Sequence, residues 1–144
     1  MTDPQLTLGV EEEYLLVDKE TRALAVEPPD ELMQKCEERL GIQVSSELLR
    51  SQIEIGTRVC GNISEVRDEL VRLRGNIKEV ANQYGLEPIA ASTHPFSRWS
   101  EQKQTEKDRY NELTIEMQAA ARRLLIMSTA SGLLSMSTNP RPCL

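Results

Sequence analysis

Three consecutive glutamates, Glu11, Glu12 and Glu13, interrupt an otherwise apolar run from Leu6 to Val17. Acidic side chains are poor strand formers, so three together inside a strand pattern call for a chemical reason. Period-two alternation puts Glu11 and Glu13 on one face, about 7 Å apart along the strand. Two carboxylates at that spacing repel, and something cationic should compensate them. Glu54 repeats the anomaly between Ile53 and Ile55. If the two strands share a sheet with polar faces aligned, Glu11, Glu13 and Glu54 converge. A cluster of hard oxygen donors without cysteine suits Mg2+ or Mn2+, which would link protein to substrate phosphates. The same spacing also suits a solvated sheet face carrying glutamates, since antiparallel sheets are often wet on one side. Neither a P-loop nor a dinucleotide fingerprint accompanies the cluster.

His94 is the one histidine, and Pro95 directly after it disfavours helix. A lone histidine in such a loop satisfies a backbone group more readily than it catalyses, and no Ser-His-Asp or Cys-His set can be assembled around it. Phe96 and Trp99 read as apolar anchors for that loop. Arg67, Arg72, Arg74, Arg122 and Arg123 read as solvated helix charges. Arg109 differs, because it opens a helix where a cation is disfavoured, and a pocket anion would explain it.

The elements that must position these residues follow from periodicity. Leu6 to Val17 predicts a strand, with Leu6, Leu8, Val10, Glu12, Tyr14 and Leu16 on one face; Ala23 to Val26 returns as a hairpin arm. Asp30 to Leu40 predicts a helix closed by Gly41. Gln52 to Thr57 predicts a strand. Asn62 caps a long helix with Glu65 three residues on, and Ile63, Val66, Leu70, Leu73, Ile77, Val80 and Tyr84 form its stripe up to Gly85. Glu87 to Ser92 predicts a short strand, and Thr105 to Ile126 a final helix. The sum is an α+β fold, an antiparallel sheet with helices on one face. Residues 127–144 lack either periodicity and read as an irregular tail.

Composition bounds the function. The chain has 144 residues, 39 % hydrophobic and 28 % charged, as one globular domain or a piece of one would have. Seventeen Lys and Arg against 23 Asp and Glu leave a net charge of −6, which argues against nucleic acid or an anionic membrane as partner. No apolar run reaches the roughly 18 residues of a membrane span. The N-terminus carries no secretory pattern, and three scattered cysteines suit a reduced cytoplasmic setting.

Four motifs in order carry a resemblance: Thr7-Leu8-Gly9-Val10-Glu11-Glu12-Glu13-Tyr14; Ser51-Gln52-Ile53-Glu54-Ile55-Gly56-Thr57 with Val59-Cys60; Thr93-His94-Pro95-Phe96 with Trp99; and Arg109-Tyr110. Together, from Thr7 to about Ile126, they resemble the N-terminal part of the carboxylate–amine ligases related to glutamate–cysteine ligase, family 2 or YbdK-type. The resemblance implies an incomplete glutamine-synthetase-like catalytic domain and ATP-dependent amide formation through an acyl phosphate. The substrates would be glutamate or another carboxylate and an amine such as that of cysteine. It also implies that Glu11, Glu13 and Glu54 are catalytic carboxylates holding Mg2+ or Mn2+, and that Thr93, His94 and Arg109 lie near the substrate.

The chain departs from the family after Ile126, where a strand with a His-Val-His-Val-Gly motif is expected and Met127-Ser128-Thr129-Ala130-Ser131-Gly132 stands instead. A truncation or a change of reading frame would explain this, and would leave the chain with little activity. The alternative function is a catalytically silent α+β fragment that binds Mg2+ or a partner chain. An incomplete sheet with an unpaired edge favours self-association into a homo-oligomer.

Overall fold

Strand β1 (Glu11–Asp18) forms where the alternation is longest, and it lies inside a four-stranded antiparallel sheet. The computed structural model describes residues 6–108 and residue 110. Helix α1 (Asp30–Leu40), β2 (Val44–Ser46), β3 (Gln52–Gly56), α2 (Ile63–Gln83) and β4 (Leu86–Ile89) follow, and the sheet order is β2-β3-β1-β4. The class is α+β, an open antiparallel sheet with both helices packed on one face through a shared core.

That core shows why the pattern folds this way. Tyr14 and Leu16 of β1, Val44 of β2, and Ile53 and Ile55 of β3 meet Leu32, Cys36 and Leu40 of α1 and Leu73, Ile77, Val80 and Ala81 of α2. Apolar residues at every second strand position and at three-four helical steps bury together. Asn62 caps α2, its side chain accepting from the Glu65 amide at 3.0 Å, and Glu65 returns by accepting from the Gly61 amide at 2.8 Å. Both helices run into glycines with positive φ, Gly41 at 58° and Gly85 at 72°. Ile63 is the exception in the stripe, 72 % exposed.

Four expectations change. The strand begins at Glu11 rather than Leu6: Thr57 pairs with Val10, but Leu8 pairs with Cys60, so the 57–60 side carries one extra residue. Such a bulge ends a regular ladder. The return arm is a single bridge, Val17 to Leu24, because Pro28 and Pro29 soon stop it. Strand β2 was not expected. It is short and takes its strand geometry from β3, pairing Val44 with Ile55 and Ser46 with Ile53. Residues 103–105 also pair with 48–50, Arg50 donating to the Lys103 carbonyl at 2.9 Å. The helix predicted from Thr105 to Ile126 lies almost wholly outside the described residues, as does the tail. Among the described residues no helix is long and apolar enough to cross a membrane.

Candidate functional site

Register assembles the carboxylates. Glu11 lies opposite Gly56, Glu13 opposite Glu54, and Glu54 opposite Ser45 on its other side. Thr57 donates to the Val10 carbonyl and Leu16 to the Ser51 carbonyl, so even-numbered residues of β1 hydrogen-bond to the β3 side. Glu13 and Glu54 are therefore a non-hydrogen-bonded pair, the kind whose Cα atoms approach to about 4.5 Å and whose side chains sit closest. Glu11, Glu13 and Glu54 thus share the face turned away from the helices. Gly56 leaves room for Glu11, whose Cγ is 3.7 Å from where a Cβ at Gly56 would stand. Ser45 donates to Glu54 Oε1 at 3.3 Å.

Electrostatics single out Glu13. Partial burial, then the charges of Glu47, Glu54 and Glu11, all push its carboxyl up, from the usual 4.5 to about 7. Glu47, just beyond β2, is the member that sequence reasoning missed; its signal was hidden because β2 itself has no local pattern. Among the described residues no group of three His, Cys, Asp or Glu side chains is gathered tightly enough to hold a metal ion. The donor set is nevertheless the right one in kind, hard carboxylate oxygens, and the repulsion that raises Glu13 is one that a divalent cation would relieve.

The cation expected beside Glu11 and Glu13 instead serves Glu12. Glu12 points into the helix layer, 8 % exposed, where Arg74 of α2 grips both of its oxygens and the Tyr14 hydroxyl donates to Oε2 at 2.6 Å. Burial would raise the Glu12 carboxyl, but the hydrogen bonds from Arg74 and Tyr14 and the charge of Arg74 outweigh it and hold it below the usual range. Arg74 is therefore not a merely solvated charge. Nor is Arg72, which bonds the buried Glu69 at 3.1 Å while the Gln43 amide reaches the same carboxylate at 3.0 Å.

His94 is buried at the other end of β1. Its Nδ1 accepts from the Ser97 amide at 3.2 Å, so its Nε2 carries the proton and donates to the Arg22 carbonyl at 2.9 Å. Arg22 closes the turn after β1, its amide donating to the Asp18 carbonyl. From Asp18 back to Glu13 is five residues, about 17 Å of strand. Both ring nitrogens are thus engaged by backbone, and the structure does not bring His94 to the carboxylates. Phe96 packs edge-on to the His94 ring at 4.5 Å but is 62 % exposed, so it does not anchor the loop by burial. Thr93 is exposed beside it, and Arg109 lies outside the described residues. Between the two ends, the carboxylate face turns apolar: Leu15 and Val17 are covered by Leu24, Ile89 and Ala91. A cavity of about 240 Å³, bordered by Leu16, Met33, Ser46 and Arg50, lies on the opposite, helix-bearing face.

Comparison with known proteins places the sequence in one family. The model of glutamate–cysteine ligase family 2 matches residues 7–131. A protein of Paracoccus denitrificans named "Putative glutamate--cysteine ligase 2" is 52 % identical over 124 residues, 86 % of this chain and 33 % of its own. Proteins with the same name from Jannaschia sp. and Chloroflexus aggregans are 50 % and 44 % identical, over 87 % and 86 % of this chain and 33 % and 32 % of theirs. The chain spans about a third of the length of the curated relatives it matches. On the match over residues 7–131, this chain belongs to glutamate–cysteine ligase family 2.

Proposed function

We propose that residues 1–126 are the N-terminal part of an ATP-dependent carboxylate–amine ligase of the glutamate–cysteine type, and that the tail diverges from the family beyond residue 131, where the match ends. The chain's share of the chemistry in that reading is to hold a divalent cation. The complete polypeptide would phosphorylate a carboxylate such as that of glutamate, and an amine such as that of cysteine would displace phosphate from the acyl phosphate. The observation that carries the reading is the direct pairing of Glu13 with Glu54, Glu11 beside them, in a chain of this family.

In this reading Glu11, Glu13 and Glu54 would hold Mg2+ or Mn2+, which would supply charge neutralisation to a phosphoryl group in transfer. The carboxylates fix where that charge is delivered, and Gly56 keeps the face open beside Glu11. Arg109 and Thr93 are assigned to the substrate side. His94, tied to the Arg22 carbonyl, would act on substrate only by holding its loop in place. The buried free thiols of Cys36 and Cys60 fit a cytoplasmic setting.

Thermal unfolding with and without Mg2+ tests the reading. A ligand at a hundredfold excess over its Kd adds about 2.7 kcal/mol to a formed site. We expect Mg2+ to raise the unfolding midpoint by several degrees beyond an NaCl control of equal ionic strength, and Glu13→Gln to abolish the rise. Equal midpoints in MgCl2 and NaCl would overturn it. ADP release from ATP with glutamate, cysteine and Mg2+ then distinguishes a chain that turns over from one that only binds the cation.

A further inference from the structure

A run of three glutamates poses a register problem that the structure solves at one point. Shifting β1 by one residue would still offer a carboxylate to Arg74, because Glu11 or Glu13 would take the place of Glu12. Such a slip also turns every side chain to the other face. Glu12 would then join the sheet's outer face, and Glu11 and Glu13 would leave it. Backbone pairing holds this stretch from one side alone, since among the described residues β3 pairs with 11–15 while β4 pairs only from Leu15 onward.

Tyr14 breaks the ambiguity. Its hydroxyl donates to Glu12 Oε2 at 2.6 Å and accepts from Arg74 Nε at 3.0 Å, while Arg74 Nε also donates to Glu12 Oε2 at 2.9 Å. A glutamate can complete this triad only with a tyrosine two residues later on the same face. Glu12 has Tyr14 there, whereas Glu11 is followed by Glu13 and Glu13 by Leu15. Only the Glu12 end of this ion pair is buried; buried ion pairs are weak as a source of stability, and fixing one register is their best-attested use.

We propose that Arg74, Glu12 and Tyr14 form a register lock, a set of positioning residues that keeps Glu13 opposite Glu54 and Glu11 opposite Gly56. The lock's value for cation binding rests on the function proposed above; the lock itself does not.

The test uses the 144-residue chain and two independent readouts. The first is the Hα–Hα nuclear Overhauser contact between Glu13 and Glu54, which a non-hydrogen-bonded antiparallel pair produces. The second is Mn2+ affinity by electron paramagnetic resonance. The wild type should give a single Glu13–Glu54 contact. Tyr14→Phe and Arg74→Met should each add a second set of cross-strand contacts, with position 12 or position 14 opposite Glu54, while far-ultraviolet circular dichroism is retained. Their Mn2+ affinity should fall about tenfold, as loss of supporting residues does at metal sites. If both variants keep the single Glu13–Glu54 contact, the lock is overturned and the triad only adds stability. Should Arg74→Met fail to fold, Tyr14→Phe decides alone, because it keeps the buried ring and removes one oxygen. No Mn2+ affinity in the wild type sinks the cation reading, and a second register in the variants then still supports the lock.

Discussion

Neighbouring glutamates on β1 titrate in opposite directions, and the alternation of side chains is the reason. Glu13 faces three other carboxylates and is raised to about 7, whereas Glu12 faces Arg74 and Tyr14 and is lowered. The folded chain therefore holds the Glu13 proton more tightly than the unfolded chain does. Stability falls as pH rises from about 4.5 to about 7, and the cost is complete above that. Removing the charge should reverse it: Glu13→Gln is expected to stabilise by about 1 kcal/mol at pH 8, after discounting for solvent screening, and not at pH 4. Urea unfolding at the two values checks this. Glu12 has the opposite sign, since its contribution is present above the ordinary carboxylate range and is lost as pH falls through its lowered value. Arg74→Met should cost about 2 kcal/mol at pH 7, below a fully buried pair because Arg74 is half exposed, and less in acid. At this scale period two alone exposed Glu11, Glu13 and Glu54. Nothing local showed that Arg74, 62 residues from Glu12, was its partner. The backbone duty of His94 was visible in its type and its proline; its burial was not.

The elements most legible in the sequence were those whose signals lie within them. Helices α1 and α2 carry their own starts and stops, and β3 its own alternation, so their bounds follow closely from residue type. Strand β2 and the pairing of 103–105 with 48–50 have no such signal, because their geometry is supplied by distant partners. Two glycines test the local account in opposite directions. Gly75 sits on the exposed side of α2 with nothing within 4 Å of a Cβ placed there. Gly75→Ala should stabilise by about 1 kcal/mol through helix propensity. Gly85 also has free space, but its φ of 72° lies in the left-handed region. Gly85→Ala should therefore destabilise by about 1 kcal/mol. Thermal midpoints that move the same way for both would contradict this reading of how α2 ends.

Across the whole molecule, β1 is paired unevenly, and that unevenness falls on the carboxylates. Even-numbered residues of β1 direct their backbone groups toward β3 and then, at Leu16 and Asp18, toward 23–25. Odd-numbered residues point the other way, where β4 pairs with Leu15 and Val17 and the Lys19 amide reaches the Gly85 carbonyl. Pro88, lacking an N–H, stands opposite Leu16 at a position where the ladder needs no donor. Among the described residues nothing continues that edge alongside Glu11 and Glu13. An amide exchanges slowly when its hydrogen bond must break by unfolding, and quickly when water already reaches it. Hydrogen exchange on the 144-residue chain should thus alternate: Glu12, Tyr14 and Leu16 slow, Leu15 and Val17 slow, Glu11 and Glu13 fast. Slow exchange at Glu11 and Glu13 that appears only at high protein concentration would mean that a second copy covers the edge, as open strands invite. Slow exchange there at every concentration would mean that residues outside the described ones already form a further strand. In that case the carboxylate face is flanked on both sides within this chain, and Glu13 has less freedom to meet a cation than its open edge implies.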